Sequence, residues 1–304
     1  MYDIEALYEA ESPSHAVELL KEHGKAKIIA GGSDVLIEIR SGKLAGCTLV
    51  SIQKLEELRG VRIDSEGAVR IGALTSISRL AKDPIIKKHI PVLAEAAETI
   101  GGPQLRNIAT IGGNVCNGVT SADTASTLMA YDVLMEYLGP NGKRFVPISS
   151  HYTGPGKTSL AHEEILTAII IPKDSFENCF AHYIKYSMRE ALDIATLGCS
   201  ANVRLSSDKK QIERMRLAYG VAGPIPLRAP SAEKAATAHP ANKETINAAA
   251  LAALGDIKPR SSWRASKDFR MHLAEELARR ALRESLRRAG VEAKALEPEA
   301  GIYE

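Results

Sequence analysis

Along the first part of the chain the apolar positions switch between two periods. Ala16, Leu19 and Leu20 recur at helical spacing behind Ser12, a capping side chain, and Pro13, whose fixed φ suits a first turn; Gly24 ends the run. Residues 27–30 then read as a strand, and a glycine-containing turn leads to a second apolar run at 47–52. Farther on, a strand at 68–74 precedes short helices around 77–81 and 92–100, then a glycine-rich polar stretch over 101–123. Two strands, 134–138 and 144–148, flank Pro140, Asn141 and Gly142 and predict a hairpin. The β-branched run 165–171, stopped by Pro172, predicts a buried strand. Beyond it the pattern lengthens into antiparallel strands at 180–188, 197–205 and 212–221. An alanine-rich helix at 248–253 follows, then a last helix in which Phe269, Leu273, Leu277, Ala281 and Leu286 share a face. Arg279, Arg280, Arg283 and Arg287 lie off that face and read as a solvated surface. The expectation is an α+β chain in three parts, 1–54, 55–176 and a sheet-and-helix domain over 177–304.

With 304 residues, 45% of them hydrophobic, the chain can bury a sizeable core in more than one domain. Its 39 basic and 37 acidic residues are interspersed, which together with 5% aromatic content argues against a nucleic-acid partner and against attraction to a membrane surface. No apolar run is long enough to span a bilayer and the acidic opening segment lacks a signal core, so a cytoplasmic protein is expected. Cys47, Cys116, Cys179 and Cys199 are far apart without a C-x-x-C pair, and the eight histidines show no ligand spacing, so no metal site is expected. Neither G-x-S-x-G nor H-E-x-x-H occurs, and no pair of side chains suggests an acid and a base: catalytic residues are expected to be absent.

The chemistry sits in two loops. Ala30-Gly31-Gly32-Ser33-Asp34 directly follows a strand, where two glycines free the backbone to turn with several N–H groups toward one spot, Ser33 adds a hydroxyl and Asp34 can cap the next helix. Alone, such a pair of glycines fits a tight turn as well as a phosphate nest. Thr110-Ile111-Gly112-Gly113-Asn114 repeats the device, and two such loops suit the pyrophosphate of a dinucleotide cofactor such as FAD; Asp123 is the kind of carboxylate that grips a ribose hydroxyl. The absence of G-x-G-x-x-G argues against a Rossmann domain. Gly156-Lys157-Thr158 looks like the end of a P-loop, but His151 stands where the first glycine is needed and the following residues read as strand. Lys185 alternates with Tyr183 and Ser187 on a strand, as either a surface lysine or a ligand contact.

AGGSDVL at 30–36, TIGGNVCNG at 110–118, SAD at 121–123 and PRSSWRASKDFR at 259–270, in that order, resemble the FAD-binding subunits of molybdenum hydroxylases. TGPGKTSL at 153–160 is most similar to the bacterial xanthine dehydrogenase branch, and the similarity runs along the whole chain. The resemblance implies a two-lobed FAD-binding domain of the vanillyl-alcohol-oxidase type, followed by a C-terminal domain like that of carbon monoxide dehydrogenase flavoproteins, a small antiparallel sheet with helices. It implies that Lys27, Ile28, Ile29, Ala30, Gly31, Gly32, Ser33 and Asp34, with Ala109, Thr110, Ile111, Gly112, Gly113 and Asn114, wrap the FAD pyrophosphate through backbone N–H groups. Asp123 would hold the adenosine ribose, the backbone of Leu166 would meet the adenine side, and Lys185 would approach the flavin end. Ile100 stands where some relatives place an aromatic ring against the isoalloxazine, so the chain departs from the pattern there, and it lacks the inserted cysteine loop that carries an extra cluster in one aromatic-CoA reductase branch.

The function so implied is that of an oxidoreductase subunit acting in purine metabolism. Electrons leave a molybdopterin centre in a large partner subunit, cross 2Fe-2S clusters in a small one, collect on the FAD bound here and reduce NAD by hydride transfer, the whole being a heterotrimer. Two other readings stay open: the FAD subunit of a related carbon monoxide, aromatic or aldehyde dehydrogenase with another acceptor, and a nucleotide-binding scaffold without turnover.

Overall fold

The computed structural model describes residues 2–296. They form two compact units, one made of the residues up to Val119 with Asp132–Lys173, the other of Thr120–Tyr131 with Asp174 onward.

The first unit opens on β1 (Ile4–Glu9), α1 (Pro13–Glu22), β2 (Lys27–Ile29), α2 (Val35–Arg40) and β3 (Cys47–Ser51), with the three strands parallel in the order β1-β3-β2. The Ser12 hydroxyl accepts the His15 N–H at 3.0 Å, satisfying one orphan donor of α1. Behind that cap Ala16, Val17, Leu19 and Leu20 are buried with Val50 and Ile52, each large side chain contributing about 1.5–3 kcal/mol. β1 is absent from the sequence reading because only Ile4 and Ala6 of its residues are even partly buried, which leaves no period-two signal.

A five-stranded antiparallel sheet completes this unit, in the order β4-β5-β10-β6-β7: β4 (Val61–Ile63), β5 (Val69–Gly72), β6 (Leu134–Gly139), β7 (Gly142–Pro147) and β10 (Ile165–Ile171). The last is central, and its buried β-branched run follows from having neighbours on both edges. The hairpin β8 (Tyr152–Gly154) and β9 (Lys157–Thr158) precedes it, and α3 (Ile77–Lys82), α4 (Pro84–His89), α5 (Pro91–Glu98), α6 (Pro103–Ile108) and α7 (Ile111–Cys116) lie between β5 and β6. The stretch read as glycine-rich loop is therefore partly helical. Pro103 starts α6 and Thr110 caps α7, while helices of six residues are too short to display an apolar stripe.

In the second unit, α8 (Asp123–Ala130) and a short turn, α9 (Lys173–Phe176), precede the antiparallel strands β11 (Cys179–Tyr186), β12 (Leu197–Leu205), β13 (Ile212–Gly220) and β14 (Leu227–Arg228), in that spatial order. Helices α10 (Pro230–Ala236), α11 (Lys243–Ala253) and α12 (Lys267–Arg288) follow. Leu273, Leu277, Ala281 and Leu286 of α12 pack with Leu197, Ala201 and Val203, whereas Phe269, read as part of that stripe, is exposed at the helix's first turn, edge-on to Tyr186. Arg279, Arg280 and Arg287 pair with glutamates three or four residues away, a solvated ladder worth little individually.

Candidate functional site

β2 is an edge strand, and the Ile52 N–H closes it by donating to Ile29 O at 3.0 Å. The chain then turns sharply. Gly32 has φ +74°, a left-handed backbone natural to glycine, and a Cβ on Gly31 would lie 1.9 Å from Ile108 O, so only glycine lets this loop abut the end of α6. Among the described residues, the N–H groups of Gly31, Gly32, Ser33 and Asp34 have no hydrogen-bond partner. Four consecutive free donors, with Gly32 buried and its neighbours Gly31 and Ser33 half-buried, are what an anion needs and what a tight turn alone does not. The Ser33 hydroxyl leans toward Asp34 at 3.4 Å. Asp34 occupies the N-cap position of α2 but makes no side-chain cap bond, because its backbone is already helical and its carboxylate cannot reach back.

The second loop is different. Thr110 caps α7 by accepting the Gly113 N–H on Oγ1 at 3.1 Å; the N–H of Asn114 goes to Thr110 O, that of Ile111 to Thr75 O, and that of Gly112 to Ala73 O at 2.8 Å. All four donors of 111–114 are used within the fold. What this loop offers is close approach: Gly113 is exposed, and a Cβ there would meet only Thr110 Oγ1, at 3.1 Å. Gly112 instead faces inward, its missing Cβ 2.6 Å from Ala73 O. Ala109, whose carbonyl accepts from the Ile77 N–H at 2.9 Å, belongs to the backbone against which Gly31 packs. The two loops are thus adjacent within one unit, one bearing donors and the other a bare glycine surface.

Lys27 is exposed on the edge strand and Ile28 and Ile29 are half-buried. Ile100 is buried at the end of α5, where Arg106 donates to its carbonyl at 2.9 Å and to that of Gly101 at 3.2 Å. The Leu166 side chain is buried opposite Tyr137, with a register shift just beyond it, and is packed within the fold.

In the second unit Asp123 opens α8 and Lys185 sits on β11, and the structure turns them toward each other: Lys185 Nζ donates to Asp123 Oδ2 at 2.9 Å and Tyr183 Oη to Oδ1 at 3.0 Å. Both charged side chains are under 10% exposed. Burial holds the Asp123 carboxyl above its ordinary range, against the opposing pull of the Lys185 ammonium and the Tyr183 hydroxyl. Alternation along β11 puts Tyr183 and Lys185 on one face, and Gly198 of the neighbouring strand leaves room there, since a Cβ on it would come 3.3 Å from Tyr183 Oη. The alternation is visible in the sequence. The partner, sixty-two residues away, is not.

Sequence reasoning passed over two buried polar groups of the first unit, Glu136 on β6 and His151, because an isolated Glu or His carries no spacing signal.

Residues 2–174 match the family described as the FAD binding domain in molybdopterin dehydrogenase, and 182–285 that of the CO dehydrogenase flavoprotein C-terminal domain. The chain is 43% identical to the xanthine dehydrogenase FAD-binding subunit of Escherichia coli O157:H7, over 95% of its own length and 99% of the relative's. It is 32% identical to the carbon monoxide dehydrogenase medium chain of Hydrogenophaga pseudoflava, over 90% and 93%. A solved structure of the carbon monoxide dehydrogenase from that organism superposes with a TM-score of 0.90 at 32% identity, covering 95% of this chain and 99% of that one. Two family matches in chain order, relatives that align over nine-tenths of the chain and a donor-bearing glycine loop in the first match lead to one conclusion: the chain belongs to the FAD-binding medium subunits of the molybdenum hydroxylases.

Proposed function

We propose that this chain is the flavin relay of a xanthine dehydrogenase-like enzyme, taking electrons that a molybdopterin centre in a large partner subunit has passed to 2Fe-2S clusters in a small one, and handing them to NAD. Bound FAD supplies the chemistry, since a flavin accepts electrons singly and gives up a pair as hydride. The chain's own residues bind and orient. Gly31, Gly32, Ser33 and Asp34 direct unpaired N–H groups to the pyrophosphate, and Gly113 lets the other loop come close to it. The observation that carries the reading is that run of four free donors inside a fold that uses all four donors of 111–114 in its other loop. The 43% identity to a xanthine dehydrogenase subunit, against 32% to a carbon monoxide dehydrogenase medium chain, supports the xanthine dehydrogenase-like reading over the alternatives.

The test follows from the two kinds of glycine. Gly31→Val would collide with backbone and report on folding, but Gly113→Val meets only a hydroxyl, so it should leave the melting temperature within a few degrees of wild type and remove FAD. A Gly113→Val protein with full FAD content rules out this cofactor site. Anaerobic addition of NADH to the yellow wild-type chain should then bleach the flavin. Flavin that stays oxidised under NADH rules out NAD as the acceptor.

A further inference from the structure

His151 is fully buried beside α7. The Tyr137 hydroxyl on β6 bonds its Nδ1, and its Nε2 lies 3.2 Å from Val115 O, at the end of the helix that carries Gly112, Gly113 and Asn114. A carbonyl only accepts, so Nε2 carries the proton and Nδ1 accepts from tyrosine: the relay runs Tyr137 O–H to His151 Nδ1, then Nε2–H to Val115 O. Val115 O also accepts the Gly118 N–H at 3.2 Å. The β8–β9 hairpin secures the same point, the Gly156 N–H donating to Gly118 O at 3.0 Å and the Ser159 N–H to His151 O at 2.7 Å. A Cβ on Gly118 would lie 2.7 Å from Lys157 N. The P-loop-like stretch is thus a buttress around the C-terminal end of α7.

We propose that His151 is a positioning residue for the flavin cofactor, fixing α7 from beneath so that the Gly113 surface stands where the pyrophosphate must approach. The inference rests on the cofactor site argued above. A six-residue helix has little stability of its own, and its position is set by what grips its ends. Thr110 grips one end and the relay the other.

With a neutral ring Tyr137 donates to Nδ1; protonation makes Nδ1 a donor and turns the tyrosine proton away, toward Ser159 Oγ at 3.3 Å, while it places a charge in a buried site. Burial lowers the affinity of His151 for a proton below its ordinary 6.5, against the raising effect of the bond to Val115 O. The sign follows: the gripped state takes up fewer protons than a loosened one, so it is fully favoured above pH 6.5 and is weakened as pH falls below it. The titratable neighbours stay out of this window. Tyr137 and the Cys116 thiol are each pushed up to about 12 by burial, Tyr152 is raised by burial too, and beyond Tyr137 the Arg144–Glu164 pair stays charged on both sides, its carboxyl lowered by the arginine's hydrogen bonds.

The experiment titrates FAD into the apo full-length chain at pH 7.5 and 5.5, with the apo melting temperature recorded alongside. Wild type should bind about tenfold more weakly at pH 5.5. His151→Leu should bind about tenfold more weakly already at pH 7.5 and lose the pH dependence, whereas His151→Gln, which keeps a donor and cannot titrate, should hold near wild-type affinity at both pH values. A merely structural histidine would lower the melting temperature of His151→Leu and leave the FAD affinity and its pH slope as in wild type, which overturns the proposal. If His151→Leu does not fold, a full wild-type slope in His151→Gln overturns it equally. Gly113→Val separates the two readings: FAD retained in that variant removes the site itself and the proposal with it, while FAD lost there alongside a wild-type His151→Leu removes only the positioning role.

Discussion

Asp123 and Lys185 meet at 2.9 Å inside the second unit, with a tyrosine hydroxyl on the remaining carboxylate oxygen. Removing one member of such a pair leaves the other charge buried without compensation, at a cost of about 3–5 kcal/mol, while replacing both by apolar groups is often close to neutral. Asp123→Asn should therefore destabilise the second unit by roughly that amount in a denaturant titration, and Asp123→Leu with Lys185→Met should recover most of it. The double variant also reads the ligand roles implied by resemblance. A stable, colourless protein assigns the pair to the cofactor, and a stable yellow one assigns it to the fold. Types and spacing made Gly31, Gly32, Gly112 and Gly113 legible as candidates; which of their N–H groups are free depended on Thr110 Oγ1, which takes that of Gly113, and on Ala73 O, which takes that of Gly112 and which nothing near the motif names.

At the scale of elements, four strands of the first unit are stitched through one carboxylate. Glu136 on β6 is bonded by Arg70 from β5 and Thr167 from β10, with Lys143 of β7 at 3.4 Å. Burial alone would raise this acid. The hydrogen bonds of Arg70 and Thr167 and the charges of Arg70 and Lys143 outweigh burial and hold it at about 2, below its ordinary 4.5. A depressed acid supplies stability that is complete above pH 4.5 and lost as pH falls toward 2. Glu136→Gln should cost about 1.5–3 kcal/mol at pH 7 and show a smaller fall in melting temperature between pH 7 and pH 3 than wild type; an equal fall would contradict the account. Elements with long apolar patterns, such as β10, β12 and α12, were readable from the sequence to within a residue or two. Several short ones, β1, β4, α4, α6 and α7, were not, although β2 and α3 of the same size were, because so few residues leave little over which a period can be detected.

For the whole molecule, the α+β class and the C-terminal domain of sheet and helices expected from the pattern agree with the observed architecture and with solved relatives. No helix among the described residues is long and apolar enough to cross a membrane. The segment Thr120–Tyr131, continuous in sequence with the second glycine loop, packs with the second unit instead. Val221 N–H and the Gly223 carbonyl bond to Thr120, and Asn202 reaches Ala130 O, contacts made across 72 to 103 residues. From the sequence by itself, the resemblance of four motifs in order carried the family and with it FAD, and the paired glycines stood out as candidates because backbone freedom is a property of residue type. Only the tertiary structure decided which donors remain free, which carboxylate is consumed by a lysine, and that His151 Nε2 lies against Val115 O in α7. Each of these is a pairing between residues distant in the chain, and burial sets its energy.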